Sequence, residues 1–439
     1  MKIAQVLYRT ALTLATICVF NLGCKDGFWT KDRIDPPCPE VTVISPTAAP
    51  FGAVVTIRGT EFIANTPTLY EVRIGNVLVD SLEIPDGNSM TFKVPKGIGS
   101  GAVSVQLVGA CDAAIKPAFT YLLTATNVSK FAGTFGQIGS AACPGCLNTP
   151  SGIEVDGAGN VWVADKYNQV VRQISPSGNL STIGAFKQPG CENVAVPSGT
   201  TAHFNWPVDI AVNAGGDVII AEEVNCTLRK RTTAGVVLPF AGKCGDSDFT
   251  DGNCSVSKLV GPSHVAQDGA VTYIADSGRI RKVDASADAN CPVISPLVGQ
   301  GFGLTNAYGI EFSKALMPGL GPIFVTDKSE LKIKAVSLSG NVTDIVTSGE
   351  GFNIPAALAM DSRGNIFVAD EGRNQILVVY PGGLTVVLAG KIAPGVSDNV
   401  SGLDAQFMAP TGIAIDPKNN KILYVSDTKS HVIRKITVE

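Results

Sequence analysis

The tetrapeptide Trp162-Val163-Ala164-Asp165 returns in altered form five more times along the chain. The copies are Ile219-Ile220-Ala221-Glu222, Tyr273-Ile274-Ala275-Asp276, Phe324-Val325-Thr326-Asp327, Phe367-Val368-Ala369-Asp370 and Tyr424-Val425-Ser426-Asp427. Their acids stand 57, 54, 51, 43 and 57 residues apart. A run opening on Pro150, Pro207, Pro262, Pro355 or Pro410 precedes five of the copies, and Ala307 takes that place before the fourth. A branched apolar run such as Val170–Ile174 or Val432–Ile436 follows, and a fourth run often ends in Ala-Gly, as at Ala241-Gly242 and Ala389-Gly390. Short apolar runs punctuated by Gly and Pro read as strands, and a recurring unit of this length signals a repeat architecture. Four strands per unit and six units predict a six-bladed β-propeller over 124–439. The last unit has three strands, and a run of the missing type stands at Val128–Gly133. That N-terminal strand is therefore expected to complete the sixth blade, close the ring and remove an open sheet edge.

Composition agrees with an all-β chain. Only 16% of the 439 residues are charged, while Gly (47) and Pro (26) are plentiful. A disordered chain needs the opposite balance, and a coiled coil needs long helix-forming runs that are missing. With 34 basic against 38 acidic residues the net charge is −4, which disfavours nucleic acid as a partner.

Residues 1–23 have a basic start (Lys2, Arg9), a short apolar stretch and small residues before Cys24, the pattern of a removable signal peptide. Leu22-Gly23-Cys24 resembles a bacterial lipobox, which implies acylation at Cys24. Lys25-Asp26 resembles the charged tag of Bacteroidetes surface lipoproteins, which implies an outer-membrane, cell-surface location with the lipid as the only membrane contact. Residues 24–40 then form a tether. Between 41 and 123, six short strand runs (among them VTVISP, AVVTIRG, YEVRIG and GAVSVQLV) predict a small immunoglobulin-like β-sandwich. Ser45-Pro46, Phe51-Gly52, Val55–Gly59, Val72–Gly75 and Val94-Pro95 make this segment resemble the IPT/TIG family, whose domains are spacers or interaction modules. The repeats of 124–439 resemble the NHL repeat.

The repeated acids invite a metal reading, but six copies at one repeat position suit scaffold. An Asp at a strand end is expected to accept N–H bonds from the turn that follows. His203, His264 and His431 are the only histidines. His203 and His264 belong to adjacent blades, so zinc at the channel mouth is a minor option, and calcium at the acidic 244–254 loop is another. No cofactor is otherwise expected.

Export makes the cysteines a disulfide framework. The expected pairs are Cys38–Cys111, Cys143–Cys146, Cys191–Cys226 and Cys244–Cys254, with Cys291 left unpaired on the opposite face. The first functional expectation is a non-enzymatic binding protein. Its resemblance to Bacteroidetes lipoproteins implies a glycan ligand and a part in polysaccharide capture, with Trp206, His203, Tyr167 and Tyr308 as candidate ligand-binding residues. A protein-binding scaffold or adhesin recognising a cell-surface protein, and a metal-dependent propeller lyase or lactonase, are the alternatives.

Overall fold

The computed structural model describes residues 38–96, 100–108, 111–113, 116–139, 143, 145–299, 301–313, 320–345 and 347–439, with the Cys111 side chain left out. The expected signal segment, Cys24 and the tether up to residue 37 lie outside the described residues. Two compact units divide between Phe119 and Thr120.

The first unit is a β-sandwich. One sheet orders Glu40–Ser45, Val54–Thr60, Ser89–Lys93 and Glu83–Asp86. The other orders Ala48–Ala49, Ala118–Tyr121, Gly101–Leu107, Tyr70–Ile74 and Val77–Leu78. Alternation along Val54–Thr60 turns Val55 and Ile57 inward to meet Val72, Ile74, Val103 and Val105, all buried.

In the second unit the described residues form six sheets, each built on four antiparallel strands. In five of them these run in sequence order from the inside out, and in the last the outermost strand comes from the start of the unit. Their inner strands are Pro150–Val155, Pro207–Val212, Pro262–Asp268, Ala307–Phe312, Pro355–Met360 and Pro410–Ile415, which define blades one to six. Each inner strand packs on the next, and that of blade six packs on blade one. The second strands are buried throughout, as in Val161–Asp165 and Ile366–Asp370, except for the first residue of two of them, Val271 and Ile422, which is half-buried. Both of their faces meet neighbouring blades, so they read as continuous apolar runs rather than alternating ones. In blade six the outermost strand is Ala125–Gly133, antiparallel to Val432–Val438 with Val128 opposite Ile436.

Outer edges are covered in several ways. Val196 bridges Val237 on blade two, Asn399 bridges Val128 on blade six, and Ser348–Gly349 adds a parallel strand to blade five. On blade three, Gly252–Asn253 runs antiparallel to the outer strand, with Asn253 opposite Val293. Such covers prevent edge-to-edge pairing between molecules.

That last strap rewrites the disulfides. It carries Cys254 down the outside of blade three to Cys291, with Cα atoms 4.9 Å apart. Cys291 is therefore bonded, contrary to the sequence expectation. Cys244 joins Cys191 instead of Cys254 (Cα–Cα 5.9 Å), linking two successive blade connections. Cys226, expected to pair with Cys191, is a buried free thiol in a tight turn whose Sγ donates to the Val260 carbonyl at 3.0 Å. Cys143 and Cys146 are joined, and Cys38 is disulfide-bonded, while the expected partner side chain of Cys111 lies outside the described ones. Non-reducing peptide mapping of the protein is expected to yield 191–244 and 254–291 cross-links, with Cys226 alkylated only after unfolding. A 244–254 cross-link would refute this connectivity.

Candidate functional site at the channel mouth

Geometry at the mouth begins with the repeated acids. Asp165, Glu222, Asp276, Asp327, Asp370 and Asp427 are all fully buried. Their N–H donors come chiefly from the connection entering their own sheet. Asn148 N–H donates to Asp165 (2.7 Å), Asn205 to Glu222 (2.8 Å) and Met408 to Asp427 (2.6 Å). Among the described residues the following turn donates backbone N–H bonds only to Asp327, from Ser329 and Glu330, and to Asp370, from Arg373, while its side chains reach Asp165 from Asn168 (2.8 Å) and Glu222 from Asn225 (2.9 Å). The reason is register: each inner strand starts opposite the acid, as Pro150 does opposite Asp165, so the entering loop crosses the acid first. Five acids also face a base on the third strand: Arg172, Arg229, Arg281, Lys334 and Arg434. Burial still pushes Glu222 up to about 7 and Asp427 to about 6, against the pull of Arg229 and Arg434. These groups hold the blades together and are not available to a ligand.

Every inner strand carries a register shift within its first residues, at Pro207/Asp209, Pro262/His264 and Ala307/Ile310 for blades two to four. Bulges re-aim side chains, and here they do so around the mouth. The residue just ahead of three of these strands has positive φ: Thr149 (57°), Trp206 (52°) and Ala409 (52°). Each is held by a turn side chain of the preceding blade. Trp206 N–H donates to Gln169 (2.7 Å), Thr149 N–H to His431 Nδ1 (3.0 Å) and Ala409 N–H to Asn374 (2.8 Å). His431 is thereby a structural acceptor. A bulky residue held at positive φ marks stored strain, and such strain gathers at binding sites.

The residue directly after each repeated acid also reaches the mouth. Around the ring these are Lys166, Glu223, Ser277, Lys328, Glu371 and Thr428. Lys166 Nζ pairs with Glu223 at 2.7 Å across blades one and two, and Lys328 Nζ with Glu371 at 3.2 Å across blades four and five. Each lysine also lies over an aromatic ring, Lys166 over Trp206 (4.5 Å) and Lys328 over Tyr308 (3.4 Å). Tyr167, 46% exposed, meets Trp206 at 5.4 Å. Tyr308 meets His264 at 4.6 Å. The lysine–glutamate pattern thus repeats three blades apart, which in a ring of six gives an approximate twofold. Five mouth residues break it: Tyr167, Trp206, Asp209, His264 and Tyr308 correspond to Ser329, Ile354, Ala357, Gly412 and Ser151 at the matching positions of the opposite blades.

Three of the four sequence candidates, Trp206, Tyr167 and Tyr308, therefore share the mouth. His203 does not join them. Its Nδ1 lies 2.7 Å from Glu192, which also binds Arg229 at 3.0 Å, so the ring is committed to a loop clamp. His203 and His264 are not brought into one ligand set, and among the described residues no three His, Cys, Asp or Glu groups could hold a metal ion. In the 244–254 loop, Asp246 and Asp251 are taken by Lys258 (2.9 Å) and Arg281 (2.5 Å). Sequence reading missed Lys166, Glu223, Lys328 and Glu371. The signal was present, because the position after the repeated acid reads Lys then Glu in blades one and two and again in blades four and five.

Residues 39–121 match the IPT/TIG domain family and residues 352–379 match the NHL repeat. The NHL repeat-containing protein 2 of Bos taurus is 37% identical over 86 residues, 19% of this chain and 11% of that protein. The human protein of that name is 39% identical over 74 residues, 17% and 10% respectively. The chain therefore spans only about a tenth of the length of these curated relatives. A Bacteroides thetaiotaomicron structural genomics protein of unknown function superposes with a TM-score of 0.54 at 16% identity, over 94% of this chain and 100% of that one. An auxiliary nutrient binding protein from Bacteroides ovatus superposes with a TM-score of 0.50 at 16% identity, over 92% and 98%. These two likenesses are of fold.

Proposed function

We propose that the chain is a lipid-anchored cell-surface binding protein that takes a glycan at the channel mouth. The observation that carries this reading is the Tyr167–Trp206 pair beside the Lys166–Glu223 bridge. An aromatic platform offers an apolar face to a sugar ring, while a lysine and a carboxylate beside it offer a donor and an acceptor to its hydroxyls. Loops stiffened by the Cys191–Cys244 link reduce the entropic cost of ordering on binding. A nutrient-binding description attached to a protein of the same fold supports a binding role in nutrient capture. In this reading acylated Cys24 is the sole membrane contact. Among the described residues no helix is long and apolar enough to cross a membrane.

Glycan-array binding of the mature protein, followed by titration of the hits, tests the reading. Trp206→Ala is expected to weaken the best hit roughly 30-fold, as removal of a central aromatic anchor does. Retention of a cell-surface protein but no glycan would favour the adhesin alternative, and unchanged affinity in Trp206→Ala would remove the mouth from consideration.

A further inference from the structure

A cleft that shares no residue with the mouth lies on the flank of the propeller. It is formed between the outer strand of blade two, Val237–Gly242, and the strap of blade three, with a volume of about 560 Å3. Small-molecule sites fall within roughly 300–1,000 Å3. Asn193 and Val194 line it from the connection between blades one and two, and Leu238 and Pro239 from the outer strand. Lys243 adds to the lining from the next connection, and Asn290 from the turn that leads into the outer strand of blade three.

Every segment that lines the cleft is pinned. Cys191–Cys244 joins the two connections close to Asn193 and Lys243, and Cys254–Cys291 holds the Asn290 turn to the strap. Val196 and Val237 exchange both backbone N–H···O bonds, at 2.8 and 3.0 Å. Buried Lys230 of blade two donates to the Ala289 carbonyl of blade three at 2.6 Å, which ties the two blades together beside Asn290. Walls fixed in this way lower the entropic cost of binding.

The polar groups of the cleft are largely uncommitted. Among the described residues, neither the Asn193 nor the Asn290 carboxamide has a hydrogen-bond partner in the chain. A carboxamide is both donor and acceptor, so each can bind a hydroxyl in either role. Lys243, 57% exposed, lies 3.6 Å from Asp246, which Lys258 already holds at 2.9 Å. No carboxylate lines the cleft among the described residues. The cleft therefore favours an anion, although the whole chain carries a net charge of −4.

The edges of the blades narrow the class of ligand. A peptide bound by strand addition needs a run of free backbone groups. Pro239 has no N–H, Val196 occupies the edge at Val237, and Gly252–Asn253 covers the outer strand of blade three. A ligand here is thus read by side chains, with a charge for Lys243, hydroxyls for the two carboxamides and an apolar face for Val194, Leu238 and Pro239. We propose that the flank cleft is a second glycan site that takes an acidic sugar, one hexuronate unit with its carboxylate on Lys243 and its hydroxyls on Asn193 and Asn290. Only the class of ligand rests on the glycan reading above, and the two sites stand or fall separately.

Isothermal titration of the mature protein tests this with digalacturonate, dimannuronate and diguluronate. Each is run beside its methyl ester, which keeps the hydroxyls and removes the charge. At least one acid is expected to bind, and its ester about 10-fold more weakly, the loss of one charge-assisted hydrogen bond. Lys243→Gln is expected to cost the acid a similar factor and the ester nothing, and Asn290→Ala to weaken both. Both side chains are exposed, so both variants keep the fold. Trp206→Ala at the mouth is expected to leave acid binding on the flank unchanged. Acid binding that survives Lys243→Gln and is lost in Trp206→Ala overturns the flank site and upholds the mouth. Acid binding that depends on Lys243, together with neutral glycan hits unaffected by Trp206→Ala, does the reverse. Equal affinity for acid and ester, or no binding of any acid, overturns the proposal.

Discussion

Arg434→Leu is expected to cost the propeller about 3–5 kcal/mol, the range measured when one partner of a buried ion pair is removed. Arg434 is fully buried. It reaches Asp427 (3.2 Å), the Gln406 carbonyl (2.8 Å), the Ser397 carbonyl (2.9 Å) and Asp398 (2.8 Å), and it lies over Phe407 at 4.9 Å. Leucine leaves Asp427, itself fully buried, without a cation and frees two carbonyls. Blade five shows why the penalty depends on context. Register places Leu377 there at the position of Arg434, opposite Val368 as Arg434 is opposite Val425. Asp370 tolerates that leucine because three backbone N–H groups reach it, from Asn353 (2.8 Å), Ile354 (2.9 Å) and Arg373 (3.1 Å). Asp427 has one such donor, Met408. Adding Asp427→Asn to Arg434→Leu should therefore recover a large part of the loss. Chemical denaturation measures both, and an Arg434→Leu protein as stable as the parent would sink the argument.

Acidification from pH 8 to about 5 is expected to stabilise the chain. Glu222 and Asp427 have folded pKa values of about 7 and 6 because of burial, and Asp165, Asp209, Glu154 and Glu311 are raised for the same first cause. A raised carboxyl binds its proton more tightly when folded. Its contribution is therefore fully present below the unfolded value near 4 and is lost as pH rises through 6 to 7. His264 works the other way. With a folded pKa of about 3 it favours folding above the unfolded value near 6.5 and loses that contribution as pH falls toward 3. Asp284 and Glu330, held at about 2 chiefly by side-chain hydrogen bonds from Ser286 and Lys334, add stability above about pH 4 and lose it below. Six raised carboxyls outweigh one histidine between pH 8 and 5, so the melting midpoint should peak near pH 5. Glu154→Gln should flatten the rise, and His264→Asn should move the peak toward lower pH. A midpoint that falls steadily from pH 8 to 5 would contradict this balance.

The repeated acid was readable because it recurs beside an apolar pair, and a residue buried on all sides leaves a strong compositional trace. The basic partner on the third strand was present in the same registers, at Arg172, Arg229 and Arg434, but pairing across strands is not periodic within one strand. Of the disulfides the short Cys143–Cys146 link was readable, and the long-range pairs 191–244 and 254–291 were not. Cys254 meets Cys291 only because Gly252–Asn253 pairs along the outside of blade three, a placement that depends on register rather than on loop length. The mouth was half legible: the aromatic residues stood out as rare, whereas Lys166 and Lys328 look like ordinary solvent-facing charges until blade packing turns them onto Trp206 and Tyr308.

The approximate twofold of the mouth has a consequence for how such a protein changes. Two lysine–glutamate bridges form a frame that closes two of the six blade junctions without regard to cargo, and Tyr167, Trp206, Asp209, His264 and Tyr308 depart from it. None of the five carries a blade-to-blade ion pair, and only Asp209 holds a neighbouring blade, through the Val265 N–H, so most can be exchanged while the ring persists. Selectivity is then evolvable, or open to engineering, through a handful of codons on a chassis that tolerates their replacement.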